Sequence, residues 1–430
     1  VYTVREINVS FGLNFKVSTV NVPKTVTRIT RLSGSLRFTH LNFAKDSQLK
    51  VIGAKTNRYG CIRGSFTEIV LPESLDSLNQ KAFYDCSKLT EITLNKGLKY
   101  IGESAFENCT SLYGITLNDG LNTIGKSAFY GCGQLSEITL NEGLKMIDRD
   151  AFYRCEQLGT VTLPASLDSI GNNAFCSSVR DVYPKRPTAP RIGWAFDKSV
   201  VVHAENIAQY KAYCQEEKWK DYKYSCVTTQ DKVRYDLVGE TSVKVVGNEA
   251  EEGDRLVVPE RVTLDGYTFD VTSIDNEALN GKAEEIVVKT PVASIGHTGR
   301  VSNCYNYTYD TPFPNLKRIT LPETLQRIEY LQFVNAPLEE ITLPKNVSYI
   351  GFGAFANTSI KSIVIPEGVD TVRSGTFENC RYLMSLQFPK NLKVIENEKY
   401  IRHHVSDRRN EWYDSGSIRF YATFSGSHIE

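Results

Sequence analysis

The chain is 430 residues long and 41% hydrophobic, and its fifty basic side chains balance fifty acidic ones to a formal net charge of zero. That balance excludes the broad positive field on which non-specific nucleic-acid binding rests, so nucleic acid is not an expected partner. No apolar run approaches the roughly 18 residues of a membrane helix, so no membrane-spanning segment is expected in the chain.

Residues 1–66 read as degenerate N-terminal repeats that cap the array, with weak rungs at 17–23 and 49–53. Over residues 67–176 the pattern becomes regular. Cys86, Cys109, Cys132 and Cys155 stand 23 residues apart, each three places after a Phe (Phe83, Phe106, Phe129, Phe152), and Phe175 keeps the same step. Between them recur Ile92-Thr93-Leu94, Ile115-Thr116-Leu117, Ile138-Thr139-Leu140 and Val161-Thr162-Leu163. Alternation with period two puts Ile and Leu on one face of a short strand and Thr on the other. Such a strand cannot bury its apolar face alone, so a fixed period of this length predicts stacked units with a continuous core.

Residues 177–230 read as a capping module and linker. A helix is expected over 204–220, where Ile207, Tyr210, Lys211 and Cys214 share one face. Residues 231–283 read as the opening rungs of a second array, with the junction near 228–236. Residues 284–396 carry that array, including Ile319-Thr320-Leu321, Ile341-Thr342-Leu343 and Cys380 at the Cys position. A segment at 297–315 interrupts it, and loops of that length are usually functional or disordered. Residues 397–430 form a C-terminal segment that reads as a truncated rung. The start at Val1, without Met or leader, fits a processed or excised polypeptide.

The unit I-x-L-x-x-x-L-x-x-I-G-x-x-A-F-x-x-C-x-x-L resembles the BspA-type, or Treponema pallidum-type, leucine-rich repeat. The resemblance is clear over 67–176 and looser over 284–396. It implies a leucine-rich-repeat solenoid, mostly β with short helical turns, in an exported cell-surface protein that binds other molecules and carries no cofactor. The stretch 177–226 resembles a module that closes such arrays in gut Bacteroidetes, which implies that origin and lipid anchoring outside the residues present.

The evenly spaced Cys could be metal ligands or small buried side chains whose thiols bond a loop carbonyl; the paired spacing of zinc sites is missing, which favours the second. Cys214 and Cys226 flank the expected helix and could form a disulfide. No nucleophile motif, metalloprotease motif or phosphate loop occurs, so a non-catalytic scaffold is expected, with no metal. Cys304 in the interrupting segment is the distant enzymatic alternative. Two features could carry binding. One is the strand face with Thr93, Thr116, Thr139 and Thr162 in register beside Glu91 and Glu137. The other is the insertion with Tyr305, Tyr307, Tyr309 and Phe313, since Tyr brings large contact area at low entropic cost. The expected ligand is a protein, for adhesion, or a glycan that stacks on Trp194, Trp219 or Trp412.

Overall fold

The computed structural model describes residues 3–11, 18–34, 38–54, 61–296, 311–373 and 375–396. Two compact units divide the chain, residues 1–226 and 227–430.

In the first unit each repeat is one turn of a parallel β-solenoid. A three-residue strand such as Glu91–Thr93 is followed by a two-residue strand such as Tyr100–Ile101, and then by the Ala-Phe turn. The two-residue strands join a single ladder of nine, from Glu6–Phe11 to Arg191–Ile192. The strands Glu6–Phe11 and Arg28–Gly34 thus belong to the same stack and are longer than those of the repeats they precede. The three-residue strands form a second ladder, here the Ile-Thr-Leu ladder, with Ile69 against Ile92 and Ile115 against Ile138.

A 23-residue turn cannot satisfy its own backbone, so its hydrogen bonds cross to its neighbours. Gly102 N donates to Leu78 O (2.7 Å) in the preceding rung, while Lys81 N, Phe83 N and Asp85 N donate to Glu103 O, Ala105 O and Glu107 O in the next (2.9, 2.7 and 2.9 Å). Lys81 and Asp85 hold φ of 56° and 61° to aim those groups, and Ser104 and Asn108 repeat the conformation one rung on. The left-handed region costs a non-Gly residue about 1–2 kcal/mol, a cost offset by the hydrogen bonds it permits. The Gly of the Ile-Gly pair has a different cause: a Cβ on Gly102 would lie 2.8 Å from the backbone of the previous rung.

The interior is a column of rings. Phe83, Phe106, Phe129, Phe152, Phe175 and Phe196 stack at 5.1 to 5.5 Å between centroids, none more than 11° from parallel. Trp219 and Tyr222 close the column on Phe196, each 5.9 Å away. The helix that carries this closure is shorter than expected, Ile207–Cys214 instead of 204–220. Asn206 caps its start by accepting from Gln209 N, and the chain then turns so that the Trp219 indole reaches Pro190 O (2.8 Å).

In the second unit, residues 231–283 depart from simple rungs. A five-stranded sheet, Val227–Gln230, Val233–Leu237, Ser242–Asn248, Tyr267–Ile274 and Arg261–Leu264 in spatial order, is antiparallel except where Ser242–Asn248 meets Tyr267–Ile274. Two-residue turns with positive φ at both positions drive this, Asp231-Lys232 and Asp265-Gly266, the geometry that matches hairpin twist. Parallel stacking begins at Arg255–Val258 and continues through Glu285–Val288, Arg318–Thr320 and Glu340–Ile341.

The ring column predicts the largest single-residue loss. Phe129→Ala removes a fully buried ring from between two others, and large-to-small changes of this kind cost about 3–5 kcal/mol. Urea unfolding should show that loss for Phe129→Ala and a small change for the exposed Tyr113→Ala.

Candidate functional site

The outward side of the Ile-Thr-Leu ladder in the first unit gathers most of the described candidates. In the sheet from Glu68–Val70 to Glu137–Thr139, Val70 lies opposite Thr93 and Thr116 opposite Thr139; in the separate sheet that begins at Gly159–Leu163, Thr162 lies opposite Tyr183, and all six are exposed. Two residues before each runs a second exposed row, in which Glu68 faces Glu91 and Gly114 faces Glu137. Paired strands lie ~4.8 Å apart, so the side chains from Glu68–Val70 to Glu137–Thr139 form one surface. Tyr113 donates its hydroxyl to Glu137 Oε1 (3.1 Å), and neither Glu68 nor Glu91 has an ion-pair partner among the described residues.

The corresponding face of the second unit is self-neutralised. Arg255 and Arg318 flank Glu285 at 2.9 and 3.5 Å, and Lys317 pairs with Glu284 at 3.2 Å. The Arg255 guanidinium, with Arg318 behind it, holds the Glu285 carboxyl below its ordinary value.

Beyond Thr162 the face of the first unit changes character. Tyr183, 43% exposed, stacks on His203 at 4.5 Å and 10°. His203 Nε2 lies 2.8 Å from Asp181 Oδ1, and because an ionised carboxylate only accepts, that nitrogen carries the proton. Neither the repeat nor any motif marks this trio in the sequence, although Tyr183 occupies the next place in the Thr row.

Phe313 requires a correction. It is fully buried, with its ring 5.8 Å from Phe333, and so begins a column that runs through Phe355 and Phe377. It offers no surface to a ligand. Tyr305, Tyr307, Tyr309 and Cys304 lie outside the described residues, as does Trp412. Trp219 is buried in the closure of the first column, which removes it from sugar stacking, whereas Trp194 is exposed with Lys218 Nζ 4.4 Å from its ring centre.

The spaced cysteines form a ladder of their own. Cys86 Sγ donates to Ile62 O, Cys109 to Phe83 O, Cys132 to Phe106 O and Cys155 to Phe129 O, at 3.1 to 3.3 Å. Ser178 takes the next place and its hydroxyl donates to Phe152 O. In the second unit Cys380 donates to Phe355 O (3.0 Å). All nine described cysteines, Cys214 and Cys226 included, are thiols outside any disulfide, which sets aside that pairing. The described residues hold no group of three or more His, Cys, Asp or Glu placed to bind a metal ion.

Burial pushes the thiols of Cys61 and Cys132 up to about 12, and those of Cys109 and Cys155 well above their ordinary value. Only the thiolate reacts. Cys109, Cys132 and Cys155 should therefore resist an aromatic disulfide reagent at pH 8 until the chain unfolds, read by mass mapping of labelled peptides. Rapid labelling of these three in the folded protein would contradict their burial. Stability should respond to pH through the same groups. Below pH 9 both states keep the proton; above it the unfolded thiols ionise first, so resistance to urea should fall from pH 9 toward 12.

No helix among the described residues is long and apolar enough to cross a membrane. No curated protein matches the sequence. Three solved structures are similar. A leucine-rich cell surface protein from Faecalibacterium prausnitzii is 18% identical over 88% of this chain and 89% of its own, with a TM-score of 0.31. The pneumococcal vaccine antigen PcpA is 18% identical over 91% and 82%, with a TM-score of 0.29. A leucine-rich repeat protein from Treponema pallidum is 28% identical over 33% and 75%, with a TM-score of 0.28. The family assignment rests on the repeat itself: the BspA type leucine-rich repeat region matches in six copies, over residues 54–180 and 302–406. With more than half of the chain covered, the protein belongs to the BspA-type leucine-rich repeat family.

Proposed function

We propose that the protein is a non-catalytic scaffold for protein–protein interaction at the cell surface, and that the outward Ile-Thr-Leu face of the first unit is its binding face. The observation that carries this is the exposed register of Val70, Thr93, Thr116 and Thr139 beside Glu68, Glu91 and Glu137, with Thr162 exposed on the next sheet. β-Branched side chains on paired strands present a stiff surface that loses little rotamer freedom on binding. The carboxylates beside them are not neutralised by ion pairs among the described residues, unlike those of the second unit. Adhesion is the role that fits such a surface, and membership of the BspA-type repeat family supports that location.

The buried, proton-retaining thiols support the non-catalytic part of the reading, because a Cys nucleophile acts as the thiolate. His203 is held by Asp181 and a stacked Tyr183, a static arrangement that the same strands explain without catalysis.

The test is a binding screen of the full chain against purified matrix and bacterial surface proteins. Thr116→Arg with Thr139→Arg should weaken a true binder by tenfold or more, on the order of 1.4 kcal/mol. Tyr130→Ala, on the Ala-Phe side, should leave it unchanged. A screen with no binder, or equal loss in both variants, overturns the proposal.

A further inference from the structure

We propose that the outward face of the sheet that begins at Gly159–Leu163, around Tyr183 and Asp181, is a saccharide-binding site. The regular ladder ends at Glu137–Thr139, and the sheet that begins at Gly159–Leu163 opens with a register slip: Gly159 pairs with Val179 but Thr160 pairs with Asp181, which leaves Arg180 as an extra, exposed residue. Bulges of this kind re-aim side chains and gather near binding sites. Gly159 holds a φ of 64°, and the Arg180 guanidinium lies against it, 3.5 Å from where a Cβ would stand.

Tyr183 forms the wall. On one side His203 backs its ring; on the other its register partner is the short Thr162, so the ring face above Thr162 stands open. Asp181 shares that face of the strand, opposite the buried Val182. Its Oδ1 is fixed by His203 Nε2, and its Oδ2 makes no hydrogen bond among the described residues. Thr160 and Thr162 supply hydroxyls from the neighbouring strand.

This set fits a polyhydroxylated ring better than a simple ion. An aromatic wall takes the apolar C–H face of a pyranose, a carboxylate accepts from hydroxyl groups, and guanidinium and threonine donate to ring and hydroxyl oxygens. A cation would meet Arg180 beside it, and an anion would meet Asp181. Few, well-oriented polar groups around an apolar surface are what small-ligand sites share. The proposal stands apart from the protein-binding reading: a saccharide can occupy Tyr183 whether or not a protein lies on the Thr row.

The experiment is saturation-transfer NMR on the full chain with the methyl glycosides of glucose, galactose, mannose and N-acetylglucosamine at millimolar concentration. At least one should show transfer centred on its C–H protons. Tyr183→Ala and Asp181→Ala should each weaken that binding about tenfold or more, while Tyr183→Phe, which keeps the ring, and the distant Tyr130→Ala should retain it. Circular dichroism checks that each variant keeps its strands. The proposal is overturned by no transfer to any of the four glycosides, by transfer that survives Tyr183→Ala, or by loss in Tyr183→Phe or Tyr130→Ala as large as in Tyr183→Ala.

Discussion

Each rung of this protein depends on carbonyl groups that only the next rung can satisfy. The turn between the two strands leaves the carbonyl of its Leu pointing along the stack, and leaving such a group buried and unpaired costs about 1–3 kcal/mol. Two side-chain solutions meet it. Where the strand ends in Asn, the Nδ2 of Asn95, Asn118 and Asn141 donates back to Leu75, Leu98 and Leu121 O at 2.7 to 2.8 Å. Where it ends in Pro, which has no such donor, a hydroxyl two residues later does the same: Ser74 to Leu49 O and Ser166 to Leu144 O. At the end of the stack Arg186 takes over, donating to Leu167 O at 2.8 Å. The Asn solution leaves three buried Oδ1 atoms without partners, a residual cost that the Pro solution avoids.

The same logic governs the Cys position. Its requirement is a small side chain with one donor aimed at the previous Phe carbonyl. Cys109 and Cys132 meet that with a thiol, Ser178 with a hydroxyl, and Thr358 with a hydroxyl turned to Phe355 O in its own rung. A sulfur is favoured because the site is dry: a thiol loses less than a hydroxyl when removed from water, and burial then keeps it protonated. The thiols are inert for the same reason that they are there.

What the sequence discloses is what the stack repeats. The Phe column, the Cys spacing and the alternation around Thr116 come from a period that any one rung would fail without. What it hides is where the period is bent by local geometry. The turn at Asp265-Gly266 folds Arg261–Leu264 back on Tyr267–Ile274 and so builds an antiparallel sheet into a stretch that reads as opening rungs. The helix stops at Cys214 because Trp219 must reach the end of the ring column, a tertiary demand that helical spacing over 204–220 does not contain. Phe313 reads as part of an aromatic loop because Tyr305, Tyr307 and Tyr309 precede it in the sequence, whereas its neighbour in space is Phe333. The stacking of Tyr183 on His203 needs a register slip that no single rung announces.

A solenoid constrains where a single ligand can be recognised. Identical rungs present the same side chains at every step, so a ligand on the Thr row meets near-equivalent positions at Thr93, Thr116 and Thr139, and gains specificity only by spanning several of them. That suits an extended protein surface. A small ligand needs a place unlike its neighbours, which requires that the repeat be broken without breaking the core. The slip at Gly159 and Thr160 meets both conditions: Val161 against Val182 and Leu163 against Pro184 keep the interior in register, while outside it the bulge displaces Arg180 and the Thr row gives way to an aromatic wall. The interior therefore fixes how far a rung can depart from its neighbours, and this one departs on its outer face while its core residues stay in register.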